Sequence, residues 1–306
     1  MFKFTTPQKI VELGAVKIGG QPGELPTAMV GSIFYHGDKI VKDEKTGLFD
    51  RGRAENLLKA EEELSDRTGN PRVIDVVGSY SEALIRYVDF VAEHTDSPFL
   101  VDGITADVRI PAIKHAVETG LNSRALYNTV CAEVKPEELQ VLHELKVKSA
   151  VILAFNPRKP TVDGRLEALA GTQEKPGLIQ QTVEAGVQNI LIDLSVLDVP
   201  DVGPAAKAVY LCKERFGYPA GCAPANAVDM WKKTKAFTQS DFATSHASLL
   251  ASTIVMGANF VMYGPTSRAD ISYQAVAVAD AIVAYTMRQM YRTRPLTERH
   301  PLFKIF

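Results

Sequence analysis

Cysteine is scarce in this 306-residue chain: Cys131, Cys212 and Cys222 lie far apart, with no CxxC spacing. That fits reduced thiols in the cytoplasm better than a disulfide framework. The six histidines form neither an HxH nor an HExxH pair, so a preformed catalytic zinc site has no support and no metal is expected. Long apolar runs are missing as well. No stretch reaches the roughly 18 uninterrupted apolar residues of a membrane span, and the opening MFKFTTPQKI lacks the apolar core of a signal peptide. There is no excess of one charge: the formal net charge is −2, and no basic run or aromatic–basic interleaving points to nucleic acid. A GxSxG elbow and a Walker loop are also absent.

What is present is the composition of a soluble globular protein, 46% hydrophobic and 23% charged, long enough for a substantial core. Short β-rich runs alternate with amphipathic helical runs. Strands are expected at 28–35, 72–79, 98–104, 124–130, 149–156, 189–196, 219–225 and 258–264, with helical patterns between them and a long last helix over Ser272 to Arg292. A short helix is expected at Thr6 to Leu13, followed by a Gly/Pro-rich loop or hairpin, KIGGQPGELPT. Several helices end in glycine, at Gly69, Gly120, Gly186, Gly217 and Gly257. Eight strands with helical crossovers match a (β/α)8 TIM barrel. The rival, a doubly wound open sheet, would show a Gly-rich dinucleotide turn after its first strand, and GSIFYHGDK is not one. No linker divides the chain, so residues 1–306 are read as one domain with an N-terminal elaboration.

In such barrels chemistry gathers at the C-terminal ends of the strands. Those ends present Asp102, Asn128, Asn156 and Asp193, and Asn226 follows the seventh strand. No lysine sits at a strand end, which argues against a Schiff-base aldolase. Carboxylates and carboxamides together suit the edge of a flat amino-pyrimidinone, a pterin or a purine: a carboxylate accepts two adjacent N–H groups while Asn reads a carbonyl and a ring nitrogen. Plainer roles compete. Asp102 would serve as a helix cap, Asn156 as the start of an Asn-Pro turn, and Asn226 as a turn residue. Asp75, in VIDVVG, is read as filling the barrel interior or bonding a neighbouring strand and is left outside the site. The Ala-rich last helix is apolar around most of its circumference, which suggests burial or a subunit contact, hence a homodimer.

The stretches KIGGQPGELPT, GSIFYHGDKIVKDEKTGLFD, LSDRTGNP, FLVDGITADVRI, LYNTV, ILAFNPRKPTVDGR and ILIDLSVLDVP span nearly the whole chain. Through them the chain resembles the H-subunit family of tetrahydromethanopterin S-methyltransferase, above all its soluble bacterial members that methylate tetrahydrofolate during quaternary-amine breakdown. The resemblance implies a barrel that moves a methyl group between a methylcorrinoid (cobalamin) held by a separate corrinoid protein and N5 of tetrahydrofolate. The alternative it leaves is a tetrahydromethanopterin-specific subunit of a membrane complex. From another class, a non-catalytic pterin-binding module is also considered. More distantly the chain is similar to methyltetrahydrofolate:corrinoid methyltransferases and dihydropteroate synthases. In those, the pterin is held by an Asp after strand 3, an Asn on strand 4 and an Asp on strand 6. The matching positions are Asp102, Asn128 and Asp193. Asn226 is the nearest equivalent of the Asn that contacts N5, although PANAV departs from the local motif of those enzymes. The resemblance thus implies Asp102, with Asn226, as the group that manages the N5 proton. A dihydropteroate synthase would want a basic phosphate cluster, and only Arg158, Lys159 and Arg165 are at hand.

Overall fold

The computed structural model describes every residue except 199, 235 and 236, and every side chain except those and 233 and 234. The chain opens with a hairpin, β1 (Ile10–Leu13) and β2 (Val16–Gly19), then enters β3 (Ala28–Ile33). A second small hairpin, β4 (Val41–Asp43) and β5 (Leu48–Phe49), leads to α1 (Arg51–Thr68). Strand and helix then alternate through β6 (Arg72–Gly78), α2 (Ser81–His94), β7 (Phe99–Gly103), α3 (Ala106–Glu118), β8 (Ala125–Val130), α4 (Pro136–Glu144) and β9 (Ser149–Leu153). Two helices, α5 (Val162–Ala170) and α6 (Leu178–Glu184), precede β10 (Asn189–Asp193), and α7 (Val202–Phe216) leads to β11 (Ala220–Cys222). α8 (Ala225–Thr234) and α9 (Gln239–Val255) lead to β12 (Phe260–Pro265), followed by α10 (Ala269–Tyr291) and the short α11 (Leu302–Ile305).

Eight of these strands close into a barrel in the order β10-β11-β12-β3-β6-β7-β8-β9, every neighbouring pair parallel. All eight expected strands are present, and the fold is the (β/α)8 barrel. Two helices absent from the sequence pattern, α5 and α8, sit in the loops after β9 and β11. Both therefore lie on the side of the barrel where the strands end.

The expected helix at Thr6 to Leu13 is not there. Ile10–Leu13 is strand β1, with alternating exposed and buried residues. A period of two is a strand's, not a helix's. Gly14, at φ +57°, supplies the left-handed turn that folds β1 back onto β2. This hairpin has a function in the fold. Val11, Leu13 and Ile18 pack against Ala28, Val30, Val73, Leu100, Leu126, Val151, Leu191 and Phe260, the inward-pointing apolar residues of the barrel strands. The hairpin thus seals the N-terminal end of the barrel. Fully burying side chains of this size contributes roughly 1.5–3 kcal/mol each. The outward faces of the strands pack under the helices in a second, larger core.

Candidate functional site

Parity along each strand decides which residues share the inner face. Val73, Leu100, Leu126 and Leu191 point inward. Two residues further on, and therefore on the same face, come Asp75, Asp102, Asn128 and Asp193. On β3, Val30 points inward and Ser32 follows it by two. A polar layer thus lies directly above the apolar floor, at the C-terminal mouth.

Neighbouring strands bring members of this layer into contact. Ser32 sits opposite Asp75 in the β3–β6 register and donates its hydroxyl to Asp75 Oδ2 at 2.6 Å. Asp102 sits opposite Asn128 in the β7–β8 register. Asp102, on the strand between them, has Asp75 and Asn128 as its polar neighbours in the layer. Beyond Asn128 the β8–β9 register shifts, and Thr129 donates to the Val151 carbonyl at 2.7 Å. Irregularities of this kind re-aim side chains at strand ends. Asp193, 8% exposed, accepts a 2.9 Å bond from the Ser195 amide.

Burial sets the electrostatics. It raises Asp193 from the usual 3.8 to about 6, against the Ser195 amide and the Arg165 charge, with Asp75 adding a smaller push upward. Burial likewise raises Asp75 to about 6, opposed by its bond to Ser32 and by the neighbouring Asp102. Asp102 is raised well above the usual range, by burial first and then by the neighbouring Asp75 carboxylate; Arg109 works the other way. Asp102 does not cap α3. That role falls to Thr105, whose side chain makes no capping bond.

The other expected residues are placed differently. Asn156 is half-buried in the loop after β9, and its side-chain oxygen accepts from the Arg158 amide at 3.0 Å, an Asn-Pro turn. Asn226 is exposed in the first turn of α8. Among the described residues no bond draws either of them into the carboxylate layer. Asp75 does bond a neighbouring strand, as expected from the sequence, but it also belongs to the layer, through Asp102.

Two arginines hold the layer's loops, a role that sequence reasoning gives to neither, since it weighs Arg165 only as a phosphate-binding cation. Arg109, on α3, donates to the Gly103 carbonyl at 2.9 Å and pairs with Glu138, which also accepts from the Tyr127 hydroxyl at 2.6 Å. It thereby fixes the turn that follows Asp102. Arg165, fully buried on α5, donates to the Leu194 and Ser195 carbonyls and pairs with Asp201 at 2.6 Å. It thereby fixes the loop that follows Asp193. Lys159 is paired with Glu167. Of the three cations considered for a phosphate cluster, two are therefore already engaged. On the β12 side of the mouth, Arg268 makes a two-pronged pair with Asp229 at 2.7 and 2.9 Å. Among the described residues no group of three or more His, Cys, Asp or Glu is arranged to hold a metal.

A barrel closed at one end and lined with carboxylates at the other matches known proteins. The Yersinia pestis dihydropteroate synthase solved with a pterine-sulfa conjugate superposes with a TM-score of 0.61 at 12% identity, covering 92% of this chain and all of that one. The Xanthomonas albilineans dihydropteroate synthase in complex with 7,8-dihydropteroate gives 0.55 at 16% identity, over 85% of this chain and 93% of that one. At such identities the likeness is one of fold. In sequence, the H subunit of tetrahydromethanopterin S-methyltransferase from Methanothermobacter thermautotrophicus is 36% identical over the full length of both chains. Its counterpart from Methanopyrus kandleri is 39% identical over 96% of each. The family described as tetrahydromethanopterin S-methyltransferase MtrH subunit matches residues 6–293. Full-length similarity of this strength, on a barrel of this architecture, makes the chain a member of the MtrH family of tetrahydromethanopterin S-methyltransferase subunits.

Proposed function

We propose that this protein is a methyltransferase that moves a methyl group between a corrinoid held by a partner protein and N5 of a tetrahydropterin. The observation that carries the reading is the layer of Asp75, Asp102, Asn128 and Asp193 above a sealed apolar floor. A flat heterocycle entering this mouth meets acceptors and a carboxamide along one edge. Asp193 and Asn128 hold the pyrimidine edge. Asp102 faces N5, with Asn226 at the rim and Asn156 in the adjoining loop as further contacts.

The relatives are named for tetrahydromethanopterin, which favours that pterin over the tetrahydrofolate expected from the likeness to soluble bacterial members. Both pterins share the edge and the N5 that the layer addresses, so the two are alternatives to be separated by titration. The corrinoid supplies the methyl group as an electrophilic methyl–cobalt. This chain's residues orient the pterin in line with the incoming methyl. They also take up the proton that N5 must shed once it becomes a methylammonium, and general acid–base help of this kind is typically worth about 10²–10⁴-fold.

A protein partner is supported by the rim. Tyr80, Ile104, Leu197 and Met230 are all large, apolar and exposed, and they lie in the elements that follow β6, β7, β10 and β11. Apolar residues clustered around a polar pocket suit a surface that is covered by another protein during turnover. The exposed Val278, Ile282 and Tyr285 on one face of α10 are proposed to pair with a second copy, as a homodimer. No described helix is long and apolar enough to cross a membrane.

Single-turnover transfer from free methylcobalamin, followed in the visible spectrum with each tetrahydropterin in turn, tests the reading. Pterin-dependent loss of methylcobalamin supports it. Tight pterin binding without transfer from any methylcorrinoid would instead leave a non-catalytic pterin-binding module.

A further inference from the structure

Asp75 is a buried carboxyl for which the proposed reaction so far has no use. Its Oδ2 is satisfied by the Ser32 hydroxyl. Its Oδ1 is buried and has no donor from any N–H or hydroxyl among the described residues. The polar group beside it on the inner face of the next strand is another carboxyl, Asp102. Two ionised carboxylates are acceptors only and cannot bond to each other. The contact closes if one of them carries a proton, and the orphaned Oδ1 is then the acceptor of that proton.

We propose that Asp75 is a positioning residue that holds a proton on Asp102, so that the two carboxyls form a pair sharing one proton and facing N5 of the pterin. Ser32, donating from β3, keeps the anion on Asp75. Asn128 on β8 and Arg109 on α3 flank Asp102, and Asp193 faces Asp75 across the mouth. Like charges this close force one titration strongly upward, and the two steps belong to the pair. The inference rests on the methyl-transfer reading only for what the proton is used for. As the N5–C bond forms and the C–Co bond breaks with its electron pair left on cobalt, the N5 proton passes to the singly charged pair and leaves to water with product. In the reverse direction N5 of the methylpterin takes a proton from Asp102 before the methyl group departs.

The experiment has two arms on wild type, Asp75→Asn, Ser32→Ala and Asp102→Asn. The first is carbon NMR of protein labelled at the aspartate carboxyl carbons, titrated without any pterin; the signal lost in Asp102→Asn identifies Asp102. In wild type Asp102 should titrate well above the ordinary carboxyl range. In Asp75→Asn its titration should fall by about one pH unit or more, because the like charge is gone. Ser32→Ala, which keeps both carboxyls, should change the spacing of the two steps without abolishing the coupling. The second arm is methyl transfer from methylated tetrahydropterin to free cob(I)alamin as a function of pH. The alkaline limb should move to lower pH in Asp75→Asn by the same amount as the NMR titration. A rate loss with an unmoved limb, or an Asp102 titration unchanged by Asp75→Asn, overturns the proposal. If the NMR coupling is present while no methyl transfer occurs in any variant or in wild type, the pair stands and the functional reading fails.

Discussion

Asp193 offers the sharpest test of pterin recognition, because its surroundings make ionisation costly. Burial lifts its carboxyl from 3.8 to about 6. A folded value above the unfolded one means that the protonated form is favoured by the fold. The associated stability is present below about pH 4 and is lost as pH rises to about 6, a difference of roughly 3 kcal/mol. The N–H donors of a pterin edge bind the carboxylate, not the acid. Binding below pH 6 must therefore expel a proton. The apparent Kd should weaken about tenfold between pH 7 and pH 5, about 1.4 kcal/mol. At pH 5 nearly one proton should be released per pterin bound.

Anaerobic calorimetry of tetrahydrofolate and tetrahydromethanopterin, at both pH values and in two buffers of different ionisation enthalpy, reads affinity and proton release together. In Asp193→Asn the charge-assisted bonds are lost, which should cost roughly 1.5–3 kcal/mol, and most of the pH dependence should go with them. An affinity equal at pH 5 and pH 7 in wild type, or a full pH slope surviving in Asp193→Asn, would refute the reasoning.

Three further outcomes are expected. Asp102→Asn should keep measurable pterin affinity but slow single-turnover transfer by about 10²–10⁴-fold; a near-normal rate would mean that the carboxyl is structural. Ile104→Asp and Leu197→Asp should raise KM for the corrinoid protein as methyl donor much more than KM for free methylcobalamin, and equal effects on both donors would remove the rim from partner docking. Glu61, fully buried between α1 and the barrel and bonded to the Tyr263 hydroxyl, is raised by burial from 4.5 to about 7. Its stabilising contribution is therefore present below pH 4.5 and lost by about pH 7. Urea unfolding should show wild type losing roughly 3 kcal/mol relative to Glu61→Gln across that range, and a constant difference would contradict the assignment.

The eight barrel strands are legible because each is a compact apolar run bounded by turn residues, and a parallel strand buried on both faces has to be one. The hairpin is harder. Ile10–Leu13 is short, and its alternation is visible only once the turn at Gly14 is recognised as the reversal point. Asp102 and Asp193 are legible because each closes an apolar run, and Asn128 because it is a carboxamide in the otherwise apolar start of β8. Asp75 sits inside its strand and so escapes that pattern, yet the parity that places Leu100 and Asp102 on one face applies equally to Val73 and Asp75. That signal is present in the sequence. Arg109 and Arg165 are not legible in the same way. Their partners include backbone carbonyls at Gly103, Leu194 and Ser195, and a carbonyl has no letter in a sequence.

The two ends of the barrel explain each other. The apolar side chains that fill the lower barrel keep water from the polar layer on that side, and the N-terminal hairpin covers this filling from outside. With Val11, Leu13 and Ile18 closing the floor, the layer borders apolar packing on one side and the mouth on the other. Burial then becomes the first cause of the raised values at Asp75, Asp102 and Asp193. A ligand with donors along one edge relieves that cost and a ligand without them does not, so the floor contributes to selectivity although it touches no ligand. Two buried arginines, each tied to the loop just beyond its aspartate, keep the layer from relaxing toward solvent. The N-terminal hairpin, α3 and α5 are in this sense parts of the site. A substitution of Leu13 in the floor belongs with substitutions in the mouth when the pH dependence of binding is interpreted.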